Sequence, residues 1–244
     1  RVLFRSIDHG TLGNDGIIDG TVDIVDGYYG KAMDFGEQGE VQAPYIELNE
    51  RSFTVSMWVS PRQEGGAEQC VLSQMQANAT NTSLHYRLYT NGTTRMGFYA
   101  NDLDAPASLV ADEWQHVCFW LDVENESRRI YINGEQVAED AGKNGIAYLG
   151  NAGLTIVGSW GTTGQKFNGL IDEFRISSVA RYSKSDGLNV VDTFFVPDED
   201  TILLYRFDEQ QEGVVKDHSG NDRHATWLGE PQWGAPAPSI SCGL

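Results

Sequence analysis

Strict alternation of apolar and polar residues constrains this chain more than any other feature. In residues 53–59 every second side chain is apolar, and residues 117–123 repeat the pattern. Successive side chains of a strand point to opposite faces, so both segments predict strands with one face in a core. Short segments of this kind recur at regular spacing, with Asn-Gly pairs such as Asn133-Gly134 between them. The pattern predicts an all-β protein, a two-sheet antiparallel sandwich.

The composition agrees with an all-β protein and excludes two kinds of partner. The 244 residues include 27 glycines, and 11% are aromatic. No apolar stretch has the length needed to span a bilayer, so no membrane insertion is expected. The formal net charge of -18 repels phosphate backbones, which argues against nucleic acid as a partner. It suits cation binding and salty or extracellular surroundings.

Three cysteines bear on the compartment. Cys70, Cys118 and Cys242 have no C-x-x-C spacing, so a zinc site is not expected. One disulfide plus a free cysteine would suit an oxidising compartment, and which residues pair stays open. Cys242 in the tail would allow crosslinking between chains, so self-association is an open possibility.

Two adjacent carboxylates lie in a predicted strand after the Asn168-Gly169 turn. In a regular strand Asp172, Phe174 and Ile176 share one face, and Glu173 points to the other. That geometry is wrong for a paired acid and base, and no strand shows alternating carboxylates of the kind a glycosidase needs. The sequence therefore predicts no enzyme. The acidic pair either holds a cation at a rim or begins a solvated strand.

Five stretches in order resemble the laminin-G-like, concanavalin A-type jelly-roll family, which includes the pentraxins. They are Gly30–Phe35, Phe53–Val59, Trp114–Val117, Ile130–Gly134 and Phe167–Ile176. The resemblance implies a jelly-roll sandwich with a curved front face. It implies no chemistry, because this fold hosts lectins, adhesion modules, spacers and enzymes.

The resemblance sets the expected domain organisation. Residues 1–234 are predicted to form one laminin-G-like domain, whose C-terminal strand arm covers about residues 178–234. The strand of this arm would complete its own sandwich, or alternatively add to a neighbouring molecule. Residues 235–244 are rich in proline, serine and alanine and are expected to be a flexible tail or linker.

A structural calcium ion is the cofactor that the sequence suggests. Calcium takes six to eight oxygen ligands, which loops rich in Asp, Asn and Gly provide. Asp172 with Asp217 and Asn221 is the first candidate set, and Asp8 and Asn14 are the alternative contributors. Many members of the resembled family carry a structural calcium near such segments. The alternative is that these side chains only cap turns.

Aromatic residues on the non-core side of the strands are the candidate ligand site. These rings, with polar neighbours, would stack on sugars if they lie open on the front sheet. The candidates are Trp58, His116, Trp120, Tyr131, Trp160 and Arg175. The alternative is that other segments cover the rings as a second small core.

The function expected from the sequence is non-catalytic binding or adhesion. The protein would be secreted or displayed on the cell surface, with a glycan or an extracellular protein as its partner. A structural subunit or spacer of an extracellular assembly, without a small ligand, is the alternative.

Overall fold

The fold consists of strands joined by turns and loops. The computed structural model describes residues 18–19, 23–36, 39–62, 68–76, 79–89, 92–106, 109–161, 165–182, 194–209 and 214–226. Its strands are β1 (Ile18–Asp19), β2 (Asp23–Asp26), β3 (Lys31–Asp34), β4 (Glu40–Ala43), β5 (Phe53–Pro61), β6 (Glu68–Gln74), β7 (Leu84–Tyr89), β8 (Thr94–Gly97), β9 (Asp102–Ala105), β10 (Gln115–Asp122), β11 (Ser127–Ile132), β12 (Glu135–Ala141), β13 (Thr155–Val157), β14 (Gly169–Ser177), β15 (Thr201–Tyr205), β16 (Val214–Val215) and β17 (Ala225–Thr226). These residues include no helix that could cross a membrane.

Two large antiparallel sheets form the sandwich, which confirms the predicted fold class. The seven-stranded sheet has the order β1-β4-β13-β6-β7-β8-β9. The eight-stranded sheet has the order β12-β11-β10-β5-β14-β3-β2, with β15 paired to β14. A separate two-stranded sheet consists of β16 and β17.

The core lies between the two sheets, and the alternation identified the side chains that fill it. Phe53, Val55, Met57 and Val59 of β5 are all at most 1% exposed and belong to one hydrophobic cluster. A buried side chain of this size stabilises a fold by roughly 1.5–3 kcal/mol. The opposite face of β5 is also buried, which the alternation does not predict.

The C-terminal arm completes its own sheet. β15 pairs antiparallel with β14, so this strand is not free to be donated to another molecule. The predicted tail, residues 235–244, lies outside the described residues.

The two cysteines in the described residues do not form a disulfide. Cys70 and Cys118 are both free and buried. Burial raises the pKa of each thiol to about 12. Cys242 lies outside the described residues.

Candidate functional site

The outer face of the eight-stranded sheet carries five of the six predicted ligand residues. Its middle strands place side chains in three rows across β10, β5 and β14. The rows are His116–Trp58–Asp172, Cys118–Ser56–Arg175 and Trp120–Thr54–Ser177. Tyr131 lies beside Cys118 on the neighbouring strand β11.

Trp58 lies beneath another ring. Tyr28, in the turn between β2 and β3, stacks on it with ring centroids 3.6 Å apart and planes 12° apart. Tyr29 approaches the same indole edge-on at 6.4 Å. Trp58 is consequently 4% exposed, and the expectation that it offers an open ring is corrected.

Trp120 and Tyr131 form part of a second small core, which was the alternative considered for these rings. They pack with Cys118, and Ala180 and Tyr182 of the segment after β14 cover them. Trp120 is 4% and Tyr131 5% exposed, so neither ring lies open to a ligand.

His116 and Arg175 lie beneath Phe195. The Phe195 ring is 5.9 Å from the His116 ring and 4.0 Å from the guanidinium carbon of Arg175. Burial and, to a smaller extent, the charge of Arg175 together lower the pKa of His116 to about 3, so the imidazole is neutral at physiological pH. Burial also lowers the pKa of Arg175.

A β-bulge changes the direction of the acidic pair. Asp172 pairs with Trp58 while Arg175 pairs with Ser56, so β14 has one more residue than β5 between these positions. Glu173 takes the extra position with a left-handed φ of 48°. The prediction that Asp172 shares a face with Phe174 is therefore wrong.

Both carboxylates of the pair consequently lie on the outer side of the sheet. Asp172 follows the core residue Ile171, and Glu173 accepts a hydrogen bond from the Phe195 backbone at 2.8 Å. The sequence argument against a paired acid and base does not hold, since it assumed opposite faces. Their exposures of 0% and 1% nevertheless leave neither carboxylate open to a substrate.

Asp172 and Asp208 hold the turn that carries the two tyrosines. Asp172 accepts a hydrogen bond from the backbone N–H of Tyr29, and Asp208 accepts one from Lys31, each at 2.8 Å. A Cβ on Gly30, which has a φ of 57°, would lie 2.2 Å from an Asp208 oxygen. The two carboxylates thus fix the backbone of residues 27–31, and Tyr28 is positioned over Trp58 as a result.

Four aromatic rings meet where this turn crosses the sheet, and we call them the ring cluster: Tyr28, Tyr29, Trp58 and Trp114. Trp114 lies 6.2 Å from Tyr28 at an angle of 63°. Unlike Trp58, the other three rings are partly exposed. Sequence reasoning missed them as site residues, because the tyrosines lie in a turn and Trp114 served only as a family motif. The Tyr28-Tyr29 pair beside two turn glycines was the available signal.

Trp160 lies on the opposite side of the molecule, at the seven-stranded sheet. It is partly exposed. The guanidinium of Arg87 stacks on its ring at 3.7 Å, and the His85 ring lies 4.5 Å away. Arg87 in turn pairs with Glu68 at 2.5 Å. Ligand binding by Trp160 stays a prediction.

A cavity of about 240 Å³ opens at the end of the sandwich near Pro61. Its walls include Gln69, Leu88 and Leu109, with Tyr89 as an aromatic ring. It is smaller than the usual range for a drug-sized ligand, roughly 300–1,000 Å³.

Asp217 and Asn221, two of the residues predicted to bind calcium, make hydrogen bonds within the fold. The Asp217 carboxylate accepts four hydrogen bonds, from the backbones of Leu204, Ser219 and Arg223 and from the Ser219 hydroxyl. Asn221 donates its amide to the carbonyls of Thr201 and Ile202. These contacts close a turn against β15, as the turn-capping alternative requires.

The described residues contain no group of three or more His, Cys, Asp or Glu side chains that could hold a metal ion. Asp172 accepts backbone hydrogen bonds at both carboxylate oxygens, from Tyr29 and Glu173. Asp8 and Asn14 lie outside the described residues. Calcium binding by the predicted set stays a prediction.

A two-sheet antiparallel sandwich with this strand order is the architecture of concanavalin A-like domains. Residues 35–185, more than half of the chain, match the Laminin_G_3 model of the concanavalin A-like lectin/glucanases superfamily. The chain belongs to this family, which confirms the resemblance drawn from its motifs. None of the curated proteins matches it.

Solved structures with the same fold include domains that bind carbohydrate. Domain 4 of AbnA, a GH43 extracellular arabinanase from Geobacillus stearothermophilus, in complex with arabinotriose, is 23% identical; the match covers 68% of this chain and 82% of that one, with a TM-score of 0.54. The CBM40 of the Ruminococcus gnavus IT-sialidase is 16% identical, with coverages of 65% and 95% and a TM-score of 0.53. The binding domain of botulinum neurotoxin serotype D/C is 17% identical, with coverages of 87% and 51% and a TM-score of 0.55. At these identities the likeness is one of fold.

Proposed function

We propose that this chain is a non-catalytic glycan-binding module of an extracellular protein, and that the ring cluster is its binding site. The observation that carries the proposal is the assembly of three partly exposed rings, Tyr28, Tyr29 and Trp114, around the buried Trp58. Aromatic faces beside polar groups are the surfaces on which sugar rings stack.

The groups around the ring cluster suit a sugar. Asp26 and Lys31 flank the tyrosine turn and pair with each other at 2.7 Å, with side chains 79% and 36% exposed. They offer a hydrogen-bond acceptor and a donor to hydroxyl groups. The turn itself is fixed by Asp172 and Asp208, so binding would not have to order it.

The relatives in fold are consistent with this function and with an extracellular location. Domain 4 of the arabinanase binds arabinotriose, and that enzyme is extracellular. Some relatives in fold are domains of enzymes, namely an arabinanase and a sialidase.

Binding to a glycan array, followed by titration of the best ligand, tests the proposal. Trp114→Ala should weaken binding at least about tenfold, since large aromatic anchors in binding sites contribute 2 kcal/mol or more. Tyr28→Ala should have a smaller effect, because removing this ring uncovers the face of Trp58. Trp160→Ala is the matched control on the opposite sheet and should bind like the wild type.

Two outcomes would contradict the proposal. If no glycan binds and the protein self-associates in sedimentation experiments, the structural subunit or spacer is the better description. If Trp160→Ala loses binding while Trp114→Ala keeps it, the site lies on the seven-stranded sheet.

A structural calcium remains part of the proposal as a separate hypothesis. A ligand that binds only the folded state raises its stability. The melting temperature should therefore fall when excess EDTA is added, and an unchanged value would argue against the ion.

A further inference from the structure

Three side-chain nitrogens on the outer face of the eight-stranded sheet are buried without a hydrogen-bond partner among the described residues, and two of their residues, His116 and Arg175, lie beneath Phe195. The side-chain atoms Trp58 Nε1, His116 Nδ1 and Arg175 Nε have no hydrogen-bond partner in the part of the chain that the structure describes. All three residues lie on adjacent strands of the eight-stranded sheet and are at most 7% exposed. A buried donor without a partner costs roughly 1–3 kcal/mol, so this arrangement has no purely structural benefit.

Arg175 also has no salt bridge with a carboxylate among the residues that the structure describes. Its Nη2 donates to the hydroxyl of Tyr182 at 2.9 Å, and its guanidinium stacks on Phe195. No carboxylate oxygen lies within 4.0 Å of it among the described residues. A buried charge without a partner is destabilising by several kcal/mol. The planar guanidinium is suited to bind an oxyanion through two parallel hydrogen bonds.

We propose that Arg175, His116 and Trp58 form a binding site for the anionic group of an acidic sugar, a carboxylate or a sulfate, and that Phe195 closes it. This inference rests on the proposed glycan-binding function, since Trp58 also supports the ring cluster. The anionic group of one sugar reaches Arg175 while the neighbouring sugar stacks on Tyr28 and Trp114.

The backbone of Phe195 is held in place over this site by two hydrogen bonds. Its backbone N–H donates to Glu173 at 2.8 Å, and its carbonyl accepts from Arg206 at 2.7 Å. Its neighbours Phe194 and Val196 are 49% and 66% exposed, so only the Phe195 ring of the three points into the protein. Because the Phe195 ring stacks on the guanidinium at 4.0 Å, its displacement would open one face of that group.

The charge around the site permits one anionic group but not a polyanion. The net charge of -18 repels a long anionic polymer. Asp172, adjacent to Trp58, is mostly protonated at neutral pH, because burial raises its pKa to about 8. Glu173 lies 4.0 Å from Arg206. The site therefore selects a short or terminal acidic sugar.

Three sugars that differ at one carbon test the inference. D-galactose, D-galacturonate and galactose 6-sulfate share a ring and differ in whether carbon 6 carries a hydroxyl, a carboxylate or a sulfate. Phe195→Ala should bind one or both acidic sugars at least tenfold more tightly than galactose, by calorimetric titration. Adding Arg175→Gln to this variant should abolish the preference. Phe194→Ala, beside the cover but exposed, is the matched control and should behave like the wild type.

Further variants keep the test decisive. Tyr182→Phe removes the acceptor of Arg175 without touching Phe195, and it should also strengthen binding of the acidic sugars. The inference is overturned if neither Phe195→Ala nor Tyr182→Phe prefers an acidic sugar, or if the preference survives Arg175→Gln. Trp114→Ala separates the two proposals. In the Phe195→Ala background it should leave the preference for the acidic monosaccharides intact, whereas it should weaken binding of the best glycan-array ligand.

Discussion

Asp172 makes the stability of the fold depend on pH in the direction opposite to that of most carboxylates. Burial above all, with a contribution from the charge of Glu173, raises the pKa of its carboxyl group to about 8. In the unfolded chain the group loses its proton near pH 4. Between about pH 4 and pH 8 the folded state therefore binds more protons, and stability falls as the pH rises through this window.

The size of the effect follows from the pKa change. A rise of about four units corresponds to about 5 kcal/mol, at 1.36 kcal/mol per unit, and this value is a ceiling. Relaxation of the surrounding turn reduces it, so we expect about 2–4 kcal/mol between pH 5 and pH 9.

Asp172→Asn removes the titration, and urea unfolding from pH 5 to pH 9 measures the result. Asp172 is a neutral acid at pH 5 with both oxygens against backbone N–H groups, so an amide of similar shape should cost at most about 1 kcal/mol there. At pH 9 the variant should be the more stable protein. Asp222→Asn, whose side chain is 90% exposed, is the control and should follow the wild type. Parallel pH profiles for Asp172→Asn and the wild type would refute the reasoning.

Three further predictions concern the fold. Asp217→Asn should lower the free energy of unfolding in urea by about 1–3 kcal/mol, because an amide cannot accept all four hydrogen bonds of this carboxylate. The loss should be the same with and without EDTA. Gly158→Ala should destabilise the fold by about 2–5 kcal/mol in the same assay, since Gly158 has a φ of 84° and a Cβ would lie 2.3 Å from Phe35. A loss of stability under about 1 kcal/mol would contradict this expectation. Cys70 and Cys118 should resist a thiol reagent in the native protein and react in urea, because both are buried with pKa values near 12; rapid native labelling of either, detected by mass spectrometry of its peptide, would show that it is accessible.

The sequence predicts the sandwich well because the information is local. Alternation in residues 53–59 places Phe53 and Val59 in the core, and the structure agrees. The bulge at Glu173 could not be predicted in this way, because one inserted residue reverses every later side chain without a strong sequence signal. Glu173 also adopts a left-handed φ without being glycine.

The site depends on contacts between residues distant in sequence. The backbone N–H of Tyr29 donates to Asp172, which is 143 residues away in sequence. Phe195, in the strand arm, packs on the ring of His116 in β10. Alternation shows that the Trp58 side of the strand faces away from the core. It does not show what covers that side, and so Trp58 was expected to be open.

The same contacts relate stability to binding. Asp172 and Asp208 hold the tyrosine turn through backbone N–H groups, so the rings of Tyr28 and Tyr29 remain available for contacts. A turn fixed in this way loses little conformational entropy when a ligand binds, which favours affinity. The disadvantage is a buried carboxyl group that destabilises the fold once it ionises. If the turn serves binding, Asp172→Asn should be more stable than the wild type at pH 9 but bind glycan no more tightly, since one of its hydrogen bonds is lost. Tighter glycan binding by this variant at pH 9 would mean that Asp172 does not position the ring cluster.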